Sequence, residues 1–219
     1  MSAPYRPSGI AAGLSSDQVV EAALEHIERH GYETLTMRKL ATELHVSPMT
    51  IYRHVADKRA LLSQVADHYF DELRVPSVMA DWQDYLGEWF DALHTLMLRR
   101  PVLAHVMAEQ PLDGPVAWKA ADHVIGVLAD HRFTPAEAGE LFTALLSYTI
   151  GFTQLRRGRS ADDSSIQAAD RDQLRAEFPH LAEAVESYGR WLSRPSFAHG
   201  VRLLIEAWTA ERGASPSIP

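Results

Sequence analysis

The side chains best placed for chemistry are five cations crowded into one short window. Arg38, Lys39, Arg53, Lys58 and Arg59 stand between residues 34 and 60 against two acids, Glu43 and Asp57, a net charge of +3 with histidine neutral. The whole chain carries −8, which leaves −11 for everything outside the window. Positive charge gathered on one segment of an acidic protein is the footprint that contact with nucleic-acid phosphates requires. Eleven histidines offer a second chemistry, metal ligation or proton transfer, but neither the Glu177–His180 nor the His105–Glu109 spacing supports it. Glu177-x-x-His180 has the separation of half a di-iron site, yet Pro179 lies inside it and no second copy exists. His105 and Glu109 are one helical turn apart, a pairing common on solvated helix faces. The chain has no cysteine, which excludes disulfides, thiolate metal sites and a cysteine nucleophile. A glycine-rich phosphate loop, a nucleophile elbow and a zinc-protease pattern are all missing from the sequence. The expectation is no catalytic residue, no metal and no cofactor, and therefore not an enzyme.

The elements that must hold the cations follow from caps and periodicity. Thr36 offers its hydroxyl to the free amides of a first helical turn, and Met37, Leu40, Ala41 and Leu44 recur behind it at helical spacing. His45-Val46 breaks the pattern. Ser47-Pro48 then supplies a cap and the residue best tolerated at the first helical position, which predicts a second helix over about 48–54. Two short helices joined by a tight turn make a helix-turn-helix, whose second helix enters a DNA major groove. Met49, Thr50, Tyr52 and Arg53 fall on or near the outer side of that helix. Upstream, Ser15-Ser16-Asp17-Gln18 opens a helix with the stripe Val19, Val20, Ala23, Leu24 and Ile27, ended by Gly31. It supplies the core behind the motif. Downstream, a long helix is expected over about 58–73.

The pattern Thr36-x-x-x-Leu40-Ala41-x-x-x-x-Val46-Ser47-x-x-x-Ile51-Tyr52-x-His54-Val55-x-x-Lys58-x-x-Leu61 resembles the DNA-binding signature of the tetracycline-repressor (TetR) family of bacterial regulators. It departs at His45, where the family usually places glycine; histidine takes a left-handed conformation at modest cost. The resemblance covers roughly the first third of the chain. It implies a homodimer on a palindromic double-stranded operator, released by a small-molecule effector, with Tyr52, His54 and Lys58 on phosphates. Beside these, Arg38 and Thr50 are assigned to base edges, Pro48 and Met49 to apolar base contact, and Thr36 and Arg53 to phosphates, Ser47 completing the surface.

The rest of the sequence has no strand-like alternation and no internal repeat. Helices are expected over about 82–99, 102–109, 116–131, 135–156, 179–191 and 195–212, with a mobile polar loop over 156–171. Thr134-Pro135-Ala136-Glu137 is a capping box with proline at the first position. The helix it opens is apolar nearly all round, so it must be covered on more than one side. Phe197, Val201, Leu204, Ile205 and Trp208 stripe the last helix. Two such helices from each of two subunits would close a four-helix bundle, as in the resembled family.

These readings define an all-α chain. A disordered arm over 1–14 precedes a three-helix helix-turn-helix domain with its linker helix over 15–74. A helical effector-binding and dimerisation domain over 80–212 and a disordered tail over 213–219 follow. No run of about 18 apolar residues is present for a membrane span, and a cytoplasmic setting is expected. Trp89, His94, Met97, His105, Met107, Trp118, Phe142, Tyr148, Phe152 and Gln154 form a mainly apolar set with a few polar groups, suited to lining an effector cavity. By resemblance, His105 lies near a magnesium ligand of the tetracycline-responsive branch, and Leu155-Arg156-Arg157 stands where that branch needs a carboxylate. Cations there argue against magnesium-tetracycline as effector. The rival reading is a helical small-molecule-binding protein or enzyme without DNA binding, opposed by the lack of any paired acid and base at working spacing; a third, a pure helical interaction module, leaves the +3 window unexplained.

Overall fold

The computed structural model describes residues 14–74, 81–109, 114–157, 168–185 and 192–214, and every regular element among them is helical. Residues 1–13 of the expected arm over 1–14, residues 215–219 of the expected tail over 213–219, and residues 75–80 between the two expected domains lie outside the described residues.

Side-chain caps set most of the helix starts. Helix α1 spans Ser16–His30 behind a Ser15–Gln18 capping box, and Gly31 ends it at φ 80, a left-handed angle that glycine adopts without strain. A short 3-10 turn, Tyr32–Thr34, leads to α2, Met37–Glu43, where the Thr36 hydroxyl accepts the Lys39 amide. Ser47 caps α3, Pro48–Ile51, and Asp57 caps α4, Lys58–Phe70. The body comprises α5, Trp82–Arg99; α6, Pro101–Glu109; α7, Pro115–Asp130; and α8, Pro135–Arg157. It continues with α9, Ala168–Glu177; α10, Pro179–Val185; and α11, Arg194–Ala214.

Four expectations need correction. Helix α3 is a single short segment, because beyond Ile51 the amides of Arg53 and His54 bond back three residues, turning the chain so that Val55 is buried. Helix α4 stops at Phe70 for the same reason: Asp71, Glu72 and Leu73 bond to the carbonyls three residues before. The loop expected over 156–171 ends sooner, since Ala168-Ala169-Asp170-Arg171 starts α9, a run whose alanines and arginine favour helix despite its polarity. The last helix continues to Ala214, past the expected tail boundary. The helix expected over 179–191 is described through Val185; the remainder lies outside the described residues.

Val19, Ala23, Leu35, Leu40, Ile51 and Leu61 close the head around α1 to α4, all fully buried. Each of the valine, leucine and isoleucine side chains contributes about 1.5–3 kcal/mol by leaving water. In the body α8 packs against α5, α6, α7 and α11, so the expectation that it is covered on several sides holds. Gly200 lets α11 approach α8 closely, because a methyl there would overlap the Tyr148 hydroxyl. Head and body share one continuous apolar core, with α4 lying on both α6 and α7.

Candidate nucleic-acid interface

Buried anchors hold the candidate surface and leave most of its outer side chains exposed. Ile51 is fully buried and pins α3, while the Ser47 hydroxyl accepts the Thr50 amide at 3.2 Å and lies 3.0 Å from the Thr50 hydroxyl. Met49 is 69% exposed on the outer side of α3, beside exposed Ser47, Pro48, Tyr52 and Arg53. An uncovered methionine on a groove-sized helix suits apolar contact with a thymine methyl. Arg38, Lys39 and Arg53 are exposed, with no carboxylate partner among the described residues. Thr36, Thr50 and His54 stand beside them, Thr36 exposed and the other two half-buried. Lys58 sits at the first turn of α4 and its Nζ donates to the Tyr32 carbonyl at 3.5 Å, which holds the ammonium at the edge of the head. His45 takes φ 55 in the turn, the left-handed conformation expected of a residue standing where glycine is usual.

Long-range contacts tie this head to the body, and none of them is visible from periodicity. Arg100, between α5 and α6, bonds Glu28 of α1 at 3.1 Å and Glu72 at 2.7 Å, and its guanidinium lies 4.7 Å over the Tyr69 ring of α4. Hydrogen bonding to Glu72 raises the Arg100 pKa further. The Tyr32 ring of the head lies 4.6 Å from the His105 ring of α6, tilted by 32°. On the opposite side of α4, the Asp67 carboxylate accepts the amides of Val116 and Ala117 at the start of α7. Gly114, with φ −85, stands against that carboxylate, and a methyl on it would overlap the Asp67 oxygens. Gly114→Ala is therefore expected to displace the carboxylate from the helix start and cost about 1–2 kcal/mol in urea unfolding, like Asp67→Ala. In the double variant the alanine methyl has room, so the costs must fall well short of adding. Additive costs would mean that the glycine serves another purpose.

The residues assigned to an effector cavity fall into several groups. Trp89 is buried edge-on to Phe90 and Phe142, and Met97 is buried on the same helix. His94 stacks on Phe197 at 4.2 Å, and Tyr148 and Phe152 complete that cluster. Phe197 therefore belongs with the aromatic set as well as with the α11 stripe. Gln154 donates to the Ala104 carbonyl at 2.8 Å, joining α8 to α6, and Met107 is half-buried. His105 lies at the junction with the head. Trp118, assigned to the cavity lining, is instead 60% exposed; Ala117, Val124, Val127 and Leu128 occupy the inner face of α7 and turn it outward.

His94 shows how a polar group is accommodated there. Its Nε2 accepts from Arg156 at 3.3 Å, so Nδ1 carries the proton and donates to the Thr153 hydroxyl at 2.7 Å. That hydroxyl in turn donates to the Thr149 carbonyl at 2.7 Å. Burial, reinforced by the Arg156 charge, lowers the His94 pKa to about 4.

Two other residue sets emerge that composition and stripes passed over. His26 of α1, only 2% exposed, meets Glu43 of α2 at 2.7 Å and Thr34 at 2.9 Å. His30 lies one turn along, and one ligand atom from each of His26, His30 and Glu43 falls within 4.8 Å of the others. An acidic cleft of about 1170 Å³ opens between α1, α4 and the start of α7, with Asp17, Glu21, Asp57 and Asp71 on its wall.

Residues 19–65 match the family model for bacterial regulatory proteins of the tetR family, and residues 75–210 match that for the tetracyclin repressor-like C-terminal domain. A relative described as an HTH-type transcriptional regulator of Saccharopolyspora erythraea is 29% identical over 216 residues, 96% of this chain and 91% of its own length. The Escherichia coli tetracycline repressor protein class E is 26% identical over 209 residues, 91% of this chain and 93% of its own. Among solved structures, the Streptomyces coelicolor TetR family protein ActR in complex with (S)-DNPA shares the fold at a TM-score of 0.77 and 23% identity, over 93% of this chain and 100% of that one. With the head matched by one model and most of the remaining chain by the other, this protein belongs to the tetR family of bacterial regulatory proteins.

Proposed function

We propose that the chain is a repressor that binds a palindromic operator as a homodimer and is released by a small-molecule effector. The observation that carries this is the head itself: exposed Arg38, Lys39 and Arg53, without a carboxylate partner among the described residues, beside exposed Met49 on a capped helix-turn-helix, in a chain that is otherwise acidic. Half-sites one DNA turn apart, about 34–36 Å, require two heads held at fixed separation. Exposed Leu155 on α8 and Leu203 on α11 continue the apolar faces of those helices outward, suiting a four-helix bundle with a second copy.

The head over 15–74 reads DNA and the body over 80–212 senses the effector, which acts through its different affinity for the two head spacings. Arg100 and Asp67 give the body two grips on α4. The aromatic set around His94 and Trp89 supplies the surface an apolar effector would use once side chains move apart. Such a protein is a cytoplasmic regulator and carries out no turnover. Selecting bound sequences from a random duplex pool, with and without a metabolite extract, tests this reading. A palindromic consensus lost in the presence of extract is expected, while magnesium-tetracycline, opposed by Arg156 and Arg157, leaves it in place. Recovery of unrelated sequences would refute it.

A further inference from the structure

The geometry assigns a transition-metal site to the head: His26 and His30 of α1 with Glu43 of α2, selective for an ion of the zinc class. His26 and His30 are four residues apart, the helical spacing that points two imidazoles at one ion. Glu43 adds a carboxylate from the neighbouring helix, completing a two-histidine, one-carboxylate set with a fourth position for water.

The surroundings of His26 are those of a metal ligand. Thr34 Oγ1 lies 3.0 Å from the Gly31 carbonyl and 3.2 Å from the His30 carbonyl, so its proton goes to one of them. Its lone pair then accepts from His26 Nε2 at 2.9 Å. With Nε2 committed as a donor, Nδ1 is the nitrogen that faces Glu43 Oε1 at 2.7 Å. Fixing one ring nitrogen by an outer hydrogen bond so that the other is aimed at the ion is the usual support of metal-bound histidine.

The metal takes the place between Nδ1 and Oε1, which lie 2.7 Å apart in the metal-free chain. Ligands about 2.0–2.1 Å from a tetrahedral zinc stand about 3.4 Å apart. The bridge must open by less than 1 Å on this scale, and His30, being exposed, is free to swing in. Nitrogen ligands and a single carboxylate disfavour magnesium and calcium, which take oxygen sets. The bound ion would staple the supporting helix to the first helix of the helix-turn-helix. The site stands on this geometry whether or not the proposed operator function is correct.

Zinc competition against a chromophoric chelator, on full-length protein first stripped with a chelating resin, tests the assignment. One ion per chain is expected, with a raised melting temperature, and with magnesium failing to compete. His30→Ala, at an exposed position that leaves the core intact, should weaken zinc about a hundredfold. Thr34→Val, which touches no metal, should weaken it about tenfold through the loss of ring orientation. His180→Ala, in the Glu177-x-x-His180 pair on exposed surface, should change nothing. Zinc binding unaltered by His30→Ala, equal losses in all three variants, or no competition at micromolar zinc would each overturn the site.

Discussion

Replacing Lys58 by alanine is expected to weaken binding to every duplex alike and to lower the slope of log affinity against log salt by about one unit, the signature of one lost phosphate contact. Replacing Arg38 is expected to act differently. If its guanidinium reads a base edge, Arg38→Ala costs about 1–3 kcal/mol on the preferred operator and relaxes the choice of base at one position, while other positions keep theirs. The structure supports the contrast. Lys58 is half-buried at the start of α4 and tethered to the Tyr32 carbonyl, placed by the backbone rather than by a base. Arg38 is exposed on α2 with no carboxylate partner among the described residues. Affinity measured for each variant over a panel of operators at several salt concentrations separates the two. Identical behaviour of both variants would show the division of roles to be wrong.

The second large effect is acid sensitivity of the body. His94 has a folded pKa of about 4, against about 6.5 for an unperturbed imidazole. Between those values the unfolded chain takes up a proton that the folded chain refuses. His94 therefore contributes its full stability above about pH 6.5 and loses it as pH falls towards 4, a change of about 3 kcal/mol over the window. His94→Asn keeps an amide donor near the Thr153 hydroxyl but does not titrate. Urea unfolding at several pH values should show a shallower decline for the variant than for the natural chain between pH 6.5 and 4. Parallel declines would mean that His94 charges freely in the folded state.

The sequence disclosed most of what depends on local chemistry. Caps at Ser15, Thr36, Ser47 and Thr134 lie where their hydroxyls and the following amides predict, because a cap is decided within four residues. The turn histidine is left-handed as its position demanded. The features that escaped are those settled by partners far along the chain. His26 interrupts the apolar stripe of α1, yet it is more buried than Leu24 and Ile27, because Glu43 and Thr34 come from other elements to satisfy both ring nitrogens. Trp118 has the size of a core residue, but smaller side chains fill the inner face of α7. Arg100 and Asp67 look like ordinary surface charges until the fold brings Glu28, Glu72 and the start of α7 to them.

A small cationic head, carried twice, is expected to read adjacent grooves of one duplex. Sedimentation of the protein with a selected, labelled operator at stepped ionic strength tests it most directly. Two chains per duplex are expected, with an affinity that falls steeply and log-linearly as salt rises. A complex holding a single chain, or no salt-sensitive affinity for any duplex, would contradict it.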